Sequence, residues 1–242
     1  MYIFFSLKLI MNKIRKIFLI YLLLVSKCSI ADKLRELDWN LIQEHCLGFI
    51  VKNKNHIKIE TNESGFYRIK VDLGDYKNKG IIDIRINYWM DDKRLNLETI
   101  HSHPNHFESK IIKGGYVHEI FYQTNSSGEK YNVYTINRNL KNKKIFINKG
   151  ISYLKSYGIF SVNQNNKIGI DQKLIHRIID FKKDTLSINV VFGHIEKSKS
   201  EYKLFVKKDQ LNEKDINSRT TIENSYNRYK ILNNIIKILS LT

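Results

Sequence analysis

The apolar positions change period twice along the chain. Leu34, Leu37, Leu41, Ile42 and His45 fall at i, i+3, i+7, i+8 and i+11, one face of a 3.6-residue repeat. Asp32 to Cys46 is therefore predicted to be a helix, with Gly48 placed to end it. The period then becomes two. Tyr67, Ile69, Val71 and Leu73 alternate with Arg68, Lys70 and Asp72, and Ile82, Ile84, Ile86 and Tyr88 alternate with Asp83, Arg85 and Asn87. Alternation of this kind gives a strand one apolar and one polar face. Ile111 to Gln123 reads as a strand bent at Gly114-Gly115. Short strands are predicted over 131–137, 151–157, 159–162, 174–179, 185–192 and 202–206, separated by Asn, Gly, Asp and Lys. From about Thr220 to Leu241 the helical period returns through Ile222, Tyr226, Tyr229, Leu232, Ile235, Ile236 and Leu239. About nine or ten short strands with no helix between them imply an antiparallel sandwich or barrel with a helix at each end.

The first segment follows a different logic. Residues 1–31 hold Lys8, Lys13, Arg15, Lys16 and Lys27 and no acid. From Met11 a basic stretch precedes the apolar run Ile17 to Val25, then Ser26-Lys27-Cys28-Ser29-Ile30-Ala31. Basic, apolar, small is the layout of a secretory signal peptide. The apolar run is too short to cross a hydrocarbon layer of about 30 Å. Lys27 stands where lipidation at Cys28 would need a small residue. Cleavage after Ala31 is expected, which exports the chain to a periplasm or beyond. An uncleaved leader would anchor it to a membrane or leave it cytoplasmic, and Met11 as the true start fits either. The expected organisation is a leader over 1–31, an N-terminal helix and extension over 32–60, a barrel over 61–210 and a C-terminal helix over 211–242.

Charge adds little to this picture. The 242 residues carry 41 Lys plus Arg against 24 Asp plus Glu, a net +17. Such a balance invites a nucleic-acid partner. Five of those charges belong to the leader, and the remainder is spread along a Lys-, Asn- and Ile-rich chain. The densest groups, Lys141-Asn142-Lys143-Lys144 and Lys197-Ser198-Lys199, are short, and no nucleic-acid recognition motif is present. Two Cys exclude a disulfide scaffold and a Cys-rich zinc module. There is no phosphate-cradling Gly loop and no Gly-x-Ser-x-Gly elbow. Cys46 is expected to be a buried structural thiol, and Tyr67, Tyr88, Trp89, Tyr116 and Tyr122 to line a core or pocket.

The histidines carry the chemistry. His101, His103, His106 and His118 fall within 18 residues, and the chain's one Pro, Pro104, lies among them. On a strand, His101 and His103 face the same side and offer two imidazole nitrogens to one ion. A bare His-x-His is more often structural than metal-binding, so the flanks decide. Here His101-x-His103 is followed by four residues, Glu108, six residues and Gly115.

That spacing resembles the first signature of the cupin superfamily. The resemblance implies an all-β double-stranded β-helix barrel holding one divalent metal ion through His101, His103, Glu108 and a third His. His176, in Leu174-Ile175-His176-Arg177-Ile178-Ile179-Asp180, is the first choice for that third His, and His194 in Gly193-His194 competes. No Pro-x-Gly precedes His176, and Asp180 stands where the family often has Asn. His106 and His118 are expected at the surface or behind the ligands. Within the superfamily, His176-Arg177-Ile178 and Thr185-Leu186-Ser187 are similar to the thiol dioxygenases, the cysteine dioxygenase group. That resemblance runs over about residues 80–206. It implies Fe(II) held by three His, with Zn, Mn, Ni or Cu as other candidates. It makes Arg85 the counterpart of an inner-strand Arg that binds a substrate carboxylate. Of that family's Ser-His-Tyr set only Ser187 matches, since Asn189 and Val191 occupy the other two positions.

The expected function is thus a metal-dependent cupin, specifically a mononuclear non-haem iron dioxygenase acting on a small polar substrate, with Arg85 and Ser187 as catalytic candidates. The alternative is a non-catalytic cupin that binds a metal or small ligand. The expected partners are a small molecule, no nucleic acid, the membrane only through an uncleaved leader, and a second copy of the chain in a homodimer.

Overall fold

The computed structural model describes residues 37–61, 66–90, 99–138, 144–193, 202–207, 220–221 and 225–241. The expected leader, Ile222 and His194 lie outside the described residues. The chain divides into two compact units, Met1–Ile42 and Gln43–Thr242. Residues 37–42 of the first unit open helix α1 (Trp39–Asn53). Asp38 caps it, its Oδ1 accepting from the N–H groups of Asn40 (3.0 Å) and Leu41 (3.1 Å).

α1 continues past Gly48, where the sequence suggested a stop. A glycine in a helix interior is unfavourable by about 1 kcal/mol, which tertiary burial readily outweighs. Ile50, beyond it, is fully buried. The buried stripe is Trp39, Ile42, Cys46 and Ile50, whereas Leu41 is 55% exposed. The helix is therefore shifted in phase from the face read in the sequence.

Among the described residues the second unit carries thirteen strands: β1 (Ile59–Thr61), β2 (Tyr67–Val71), β3 (Ile81–Trp89), β4 (Ile100–His101), β5 (Phe107–Lys113), β6 (Gly115–Thr124), β7 (Glu129–Arg138), β8 (Lys144–Asn163), β9 (Lys167–Ile170), β10 (Ile175–Phe181), β11 (Thr185–Phe192), β12 (Tyr202–Val206) and β13 (Thr220–Thr221). Helix α2 (Ser225–Leu241) follows. A seven-stranded sheet has the order β13-β1-β2-β3-β11-β5-β9, and the other six strands close into a barrel, β10-β4-β12-β7-β8-β6. Within these, β3-β11-β5-β9 and β4-β10-β6-β8 are the two four-stranded layers of a jelly roll. The fold is thus the expected all-β double-stranded β-helix with an N-terminal and a C-terminal helix.

Several strand boundaries differ from the sequence reading. The single bent strand expected over Ile111 to Gln123 is two strands in different sheets, β5 and β6. Gly114, at φ +77°, forms the corner between them. A Cβ there would lie 2.9 Å from the Cα of Thr185, so a side chain is excluded by space as well as by φ. Thr185 fastens the corner: Gly115 N–H donates to its Oγ1 at 2.9 Å, and its hydroxyl lies 2.6 Å from the Lys182 carbonyl. The two strands expected over 151–157 and 159–162 are parts of the 20-residue β8. The C-terminal helix begins at Ser225, and Thr220–Thr221 instead pair with β1.

The two faces of the seven-stranded sheet differ in character. On the outer face Ile69, Ile84, Ile86, Tyr88, Leu186, Ile188 and Val190 are each fully buried. α2 joins this core with Ile231, Leu232, Ile235, Ile238 and Leu239 buried, and its Asn234 side chain donates to Tyr88 Oη at 3.2 Å. On the inner face the register aligns rows across β2, β3, β11 and β5. One row holds Arg68, Asn87, Ser187 and the apolar Ile111; the next holds Lys70, Arg85, Asn189 and Ser109.

Candidate metal centre

Three imidazoles converge between the layers. β4 supplies His101, and its register partner on β10 is His176. His103 follows two residues after His101, where the chain leaves β4 for the turn at Pro104-Asn105. That exit is fixed by Ser102, whose N–H donates to the Lys203 carbonyl and whose Oγ accepts from Lys203 N–H, both at 2.9 Å. One ring nitrogen from each of His101, His103 and His176 lies within 4.8 Å of the others. Nε2 of His103 and Nε2 of His176 are 2.7 Å apart. The ring centroids are 4.7 Å apart for His101 and His103, and 4.9 Å for each with His176.

This arrangement suits a divalent metal ion. Two imidazoles on one ion, each bonded at about 2.0–2.1 Å, hold their nitrogens about 3 Å apart. His101 Nδ1 lies 2.7 Å from the Thr99 carbonyl oxygen, which only accepts. Nδ1 therefore carries the proton and Nε2 the lone pair, the tautomer a ligand needs. Burial pushes the pKa values of His103 and His176 well below the usual imidazole range, and the neighbouring His101 adds to the effect. Both imidazoles are thus neutral at neutral pH and offer lone pairs rather than charge.

Glu108 is not in this group. In β5 the residues on the site side are Phe107, whose ring centroid is 4.7 Å from that of His103, and Ser109. Alternation puts Glu108 on the opposite face, paired across with Val190 and Gly169. Burial raises its pKa, partly opposed by Lys167. The structure therefore brings together three of the four expected ligands.

Arg85 and Ser187 both face the compartment. Arg85 Nε donates to Asp83 Oδ2 at 2.6 Å. Ser187 is 1% exposed, and its Oγ has no hydrogen-bond partner among the described residues. His106 sits at the turn with its ring 5.6 Å from that of Phe192.

His118 has more to do with the site than its place in the sequence suggested. It is 2% exposed, its ring centroid is 4.8 Å from that of His176, and it stacks on Tyr116 at 4.9 Å. Tyr116 Oη in turn donates to Ser109 Oγ at 3.3 Å. Burial, aided by His101, pushes the His118 pKa down to about 4. The available signal was the alternation Tyr116, His118, Ile120 after the glycine corner, which puts His118 on the same face of the sheet as Ile120 and its register partner His176.

No known protein-family profile matches this chain, and no curated protein matches it in sequence. Solved structures similar to it include oxalate decarboxylase from Bacillus subtilis, 10% identical over 60% of this chain and 29% of that one, with a TM-score of 0.32. An RmlC-like cupin from Shewanella frigidimarina is 10% identical over 58% of this chain and 87% of that one, TM-score 0.32. CapF, solved with 3-isopropenyl-tropolone, is 11% identical over 60% of this chain and 33% of that one, TM-score 0.35. The chain spans less than a third of the oxalate decarboxylase it matches.

Proposed function

We propose that the protein is a metal-dependent cupin, and specifically a mononuclear non-haem iron oxygenase acting on a small polar molecule. The observation that carries this reading is the convergence of three imidazoles, with two Nε2 atoms 2.7 Å apart. His101, His103 and His176 would hold the ion. Iron(II) held by three imidazoles supplies open coordination positions for substrate and O2. Glu108 faces away from the group, which favours an open centre over a closed four-ligand binding site. Arg85 would orient the substrate through a carboxylate, and Asp83 holds the Arg85 guanidinium in place. The Ser187 hydroxyl would bond a polar atom of the substrate. We further propose export through the residue 1–31 leader and no nucleic-acid partner. Among the described residues no helix is long and apolar enough to cross a membrane.

Elemental analysis of purified protein, with His101→Ala as control, tests the centre. About one equivalent of metal per chain is expected, falling to background in the variant. Equal metal content in the two rejects it. O2 uptake with the iron-loaded protein against a panel of thiols and small acids tests turnover. Metal binding with no uptake across the panel would favour a non-catalytic cupin.

A further inference from the structure

A row of rings leads from an apolar cluster to the imidazole group. Trp89 packs on Tyr116 with 5.8 Å between ring centroids, Tyr116 stacks on His118 at 4.9 Å, and His118 lies 4.8 Å from His176. Trp89 and Tyr116 belong to a buried cluster with Phe66, Ile111 and Val162. The last two rings of the row are imidazoles, and both are buried. His118 is outside the group of three that gathers its nitrogens within 4.8 Å.

Packing alone does not call for an imidazole at position 118. Its register partners are Ile178 on β10 and Phe160 on β8, and it stacks on a tyrosine. A phenylalanine would fill similar space with no polar atom to satisfy. Instead His118 Nδ1 is buried and has no hydrogen-bond partner among the described residues. Buried polar atoms in that state are uncommon and unfavourable.

His176 has the complementary need. Its Nε2 lies 2.7 Å from His103 Nε2, on the side where the three rings converge. Ligation through Nε2 leaves the hydrogen on Nδ1. That Nδ1 is also buried and also lacks a partner among the described residues. A ligating imidazole commonly donates this second N–H to an acceptor, which fixes its tautomer and its ring orientation. His118 with its hydrogen on Nε2 offers such an acceptor at Nδ1. One buried donor and one buried acceptor thus stand unmet on adjacent rings, at a spacing that suits one bridging water.

We propose that His118 is a positioning residue of the metal centre. Its Nδ1 takes the hydrogen of His176 Nδ1 across one water, and so holds His176 in the ligating tautomer and orientation. This role rests on the metal-centre reading and adds a residue to it.

The zinc affinity of the full chain, measured by competition with a chelator, tests the role. His118→Phe keeps a ring of similar size but removes the acceptor, and should bind zinc about tenfold or more weakly than the native chain. His118→Asn returns an acceptor near the Nδ1 position and should bind about threefold or more tightly than His118→Phe. In the zinc-loaded native chain, nitrogen-15 shifts should place the hydrogen of His118 on Nε2 and that of His176 on Nδ1. A role in packing alone predicts equal zinc affinity in the native chain and in His118→Phe, and that result overturns the proposal while leaving the metal centre standing. It is equally overturned by His118→Asn binding no more tightly than His118→Phe, or by a His118 hydrogen on Nδ1. Circular dichroism melts establish that the variants are folded. Should His118→Phe melt below the assay temperature, the native tautomers decide. A native chain that binds no zinc overturns the metal centre and this role with it.

Discussion

β11 is buried along its whole length, yet its two sides are chemically unlike. Leu186, Ile188 and Val190 point to the outer face, while Thr185, Ser187 and Asn189 point to the inner one. The same division runs across β3, where Ile84, Ile86 and Tyr88 oppose Asp83, Arg85 and Asn87. One hydrophobic core against this sheet therefore lies on its outer face, with α2, while the inner face combines an apolar cluster around Trp89, Ile111, Tyr116 and Val162 with the polar groups near the imidazoles. Burial of apolar area stabilises the fold at roughly 25 cal/mol per Å², and here the outer face supplies much of it. The inner face holds groups that are poorly matched to a dry core. The outer face carries no candidate site residue, so substitutions there and at the polar inner positions should have separable effects.

The sharpest break between the faces comes from the imidazoles. His103→Ala should reduce bound metal from about one equivalent to background while the metal-free chain remains folded. Elemental analysis beside a thermal melt measures both. On the opposite face, Ile86→Ala removes a fully buried side chain and should destabilise the fold by about 2–5 kcal/mol in urea titration. Metal per folded chain should not change. If Ile86→Ala also strips the metal, the two faces are not independent.

Acidity acts on the inner face next. The His118 pKa is about 4 in the folded chain against about 6.5 when unfolded. Below 6.5 the unfolded chain binds the proton more readily, so stability is full above that pH and declines as pH falls toward 4. The metal-free protein should lose up to about 3 kcal/mol from His118 across that window. Urea titrations at several pH values measure the loss, and His118→Phe should reduce it. The smallest effect is expected from Ser187→Ala. Deleting a buried hydroxyl that lacks a partner should alter stability by less than about 1 kcal/mol, and in the favourable direction. A loss well beyond that would mean the hydroxyl supports the fold rather than a ligand.

Much of this was readable in the sequence because period-two alternation is a direct record of two unlike faces. The strand over 202–206 and that over 185–192 coincide with β12 and β11. The His101-x-His103 pair and His176, far apart in the chain, meet because β4 pairs with β10. What alternation cannot record is which sheet a strand joins. The run around Gly114-Gly115 has one continuous pattern yet turns from one sheet into the other, since a glycine at positive φ redirects the chain without interrupting its apolar spacing. Spacing alone also suggested that Glu108 could join the histidines, but β5 presents Phe107 and Ser109 to the site and Glu108 to the other side. Ile82 shows a local limit of the same kind. It continues the apolar alternation of β3 but is 50% exposed, because the register slips between Val191 and Phe192 and Ile81 takes the buried place. Residues 1–36 and 194–201 hold the leader and the competing His194, and neither lies among the described residues.

The central place of β11 has a kinetic consequence. It hydrogen-bonds β3 on one side and β5 on the other, but it is made roughly a hundred residues after β3, a pairing of the long-range kind that slows folding. During synthesis β3 and β5 must wait for the strand that joins them. Assembly of the inner wall is thus a late event, and Arg85 and Ser109 join one row only when β11 places Asn189 between them. The chain cannot present a half-built binding compartment early in synthesis, and any ion or acid it takes up must arrive after most of the polypeptide exists.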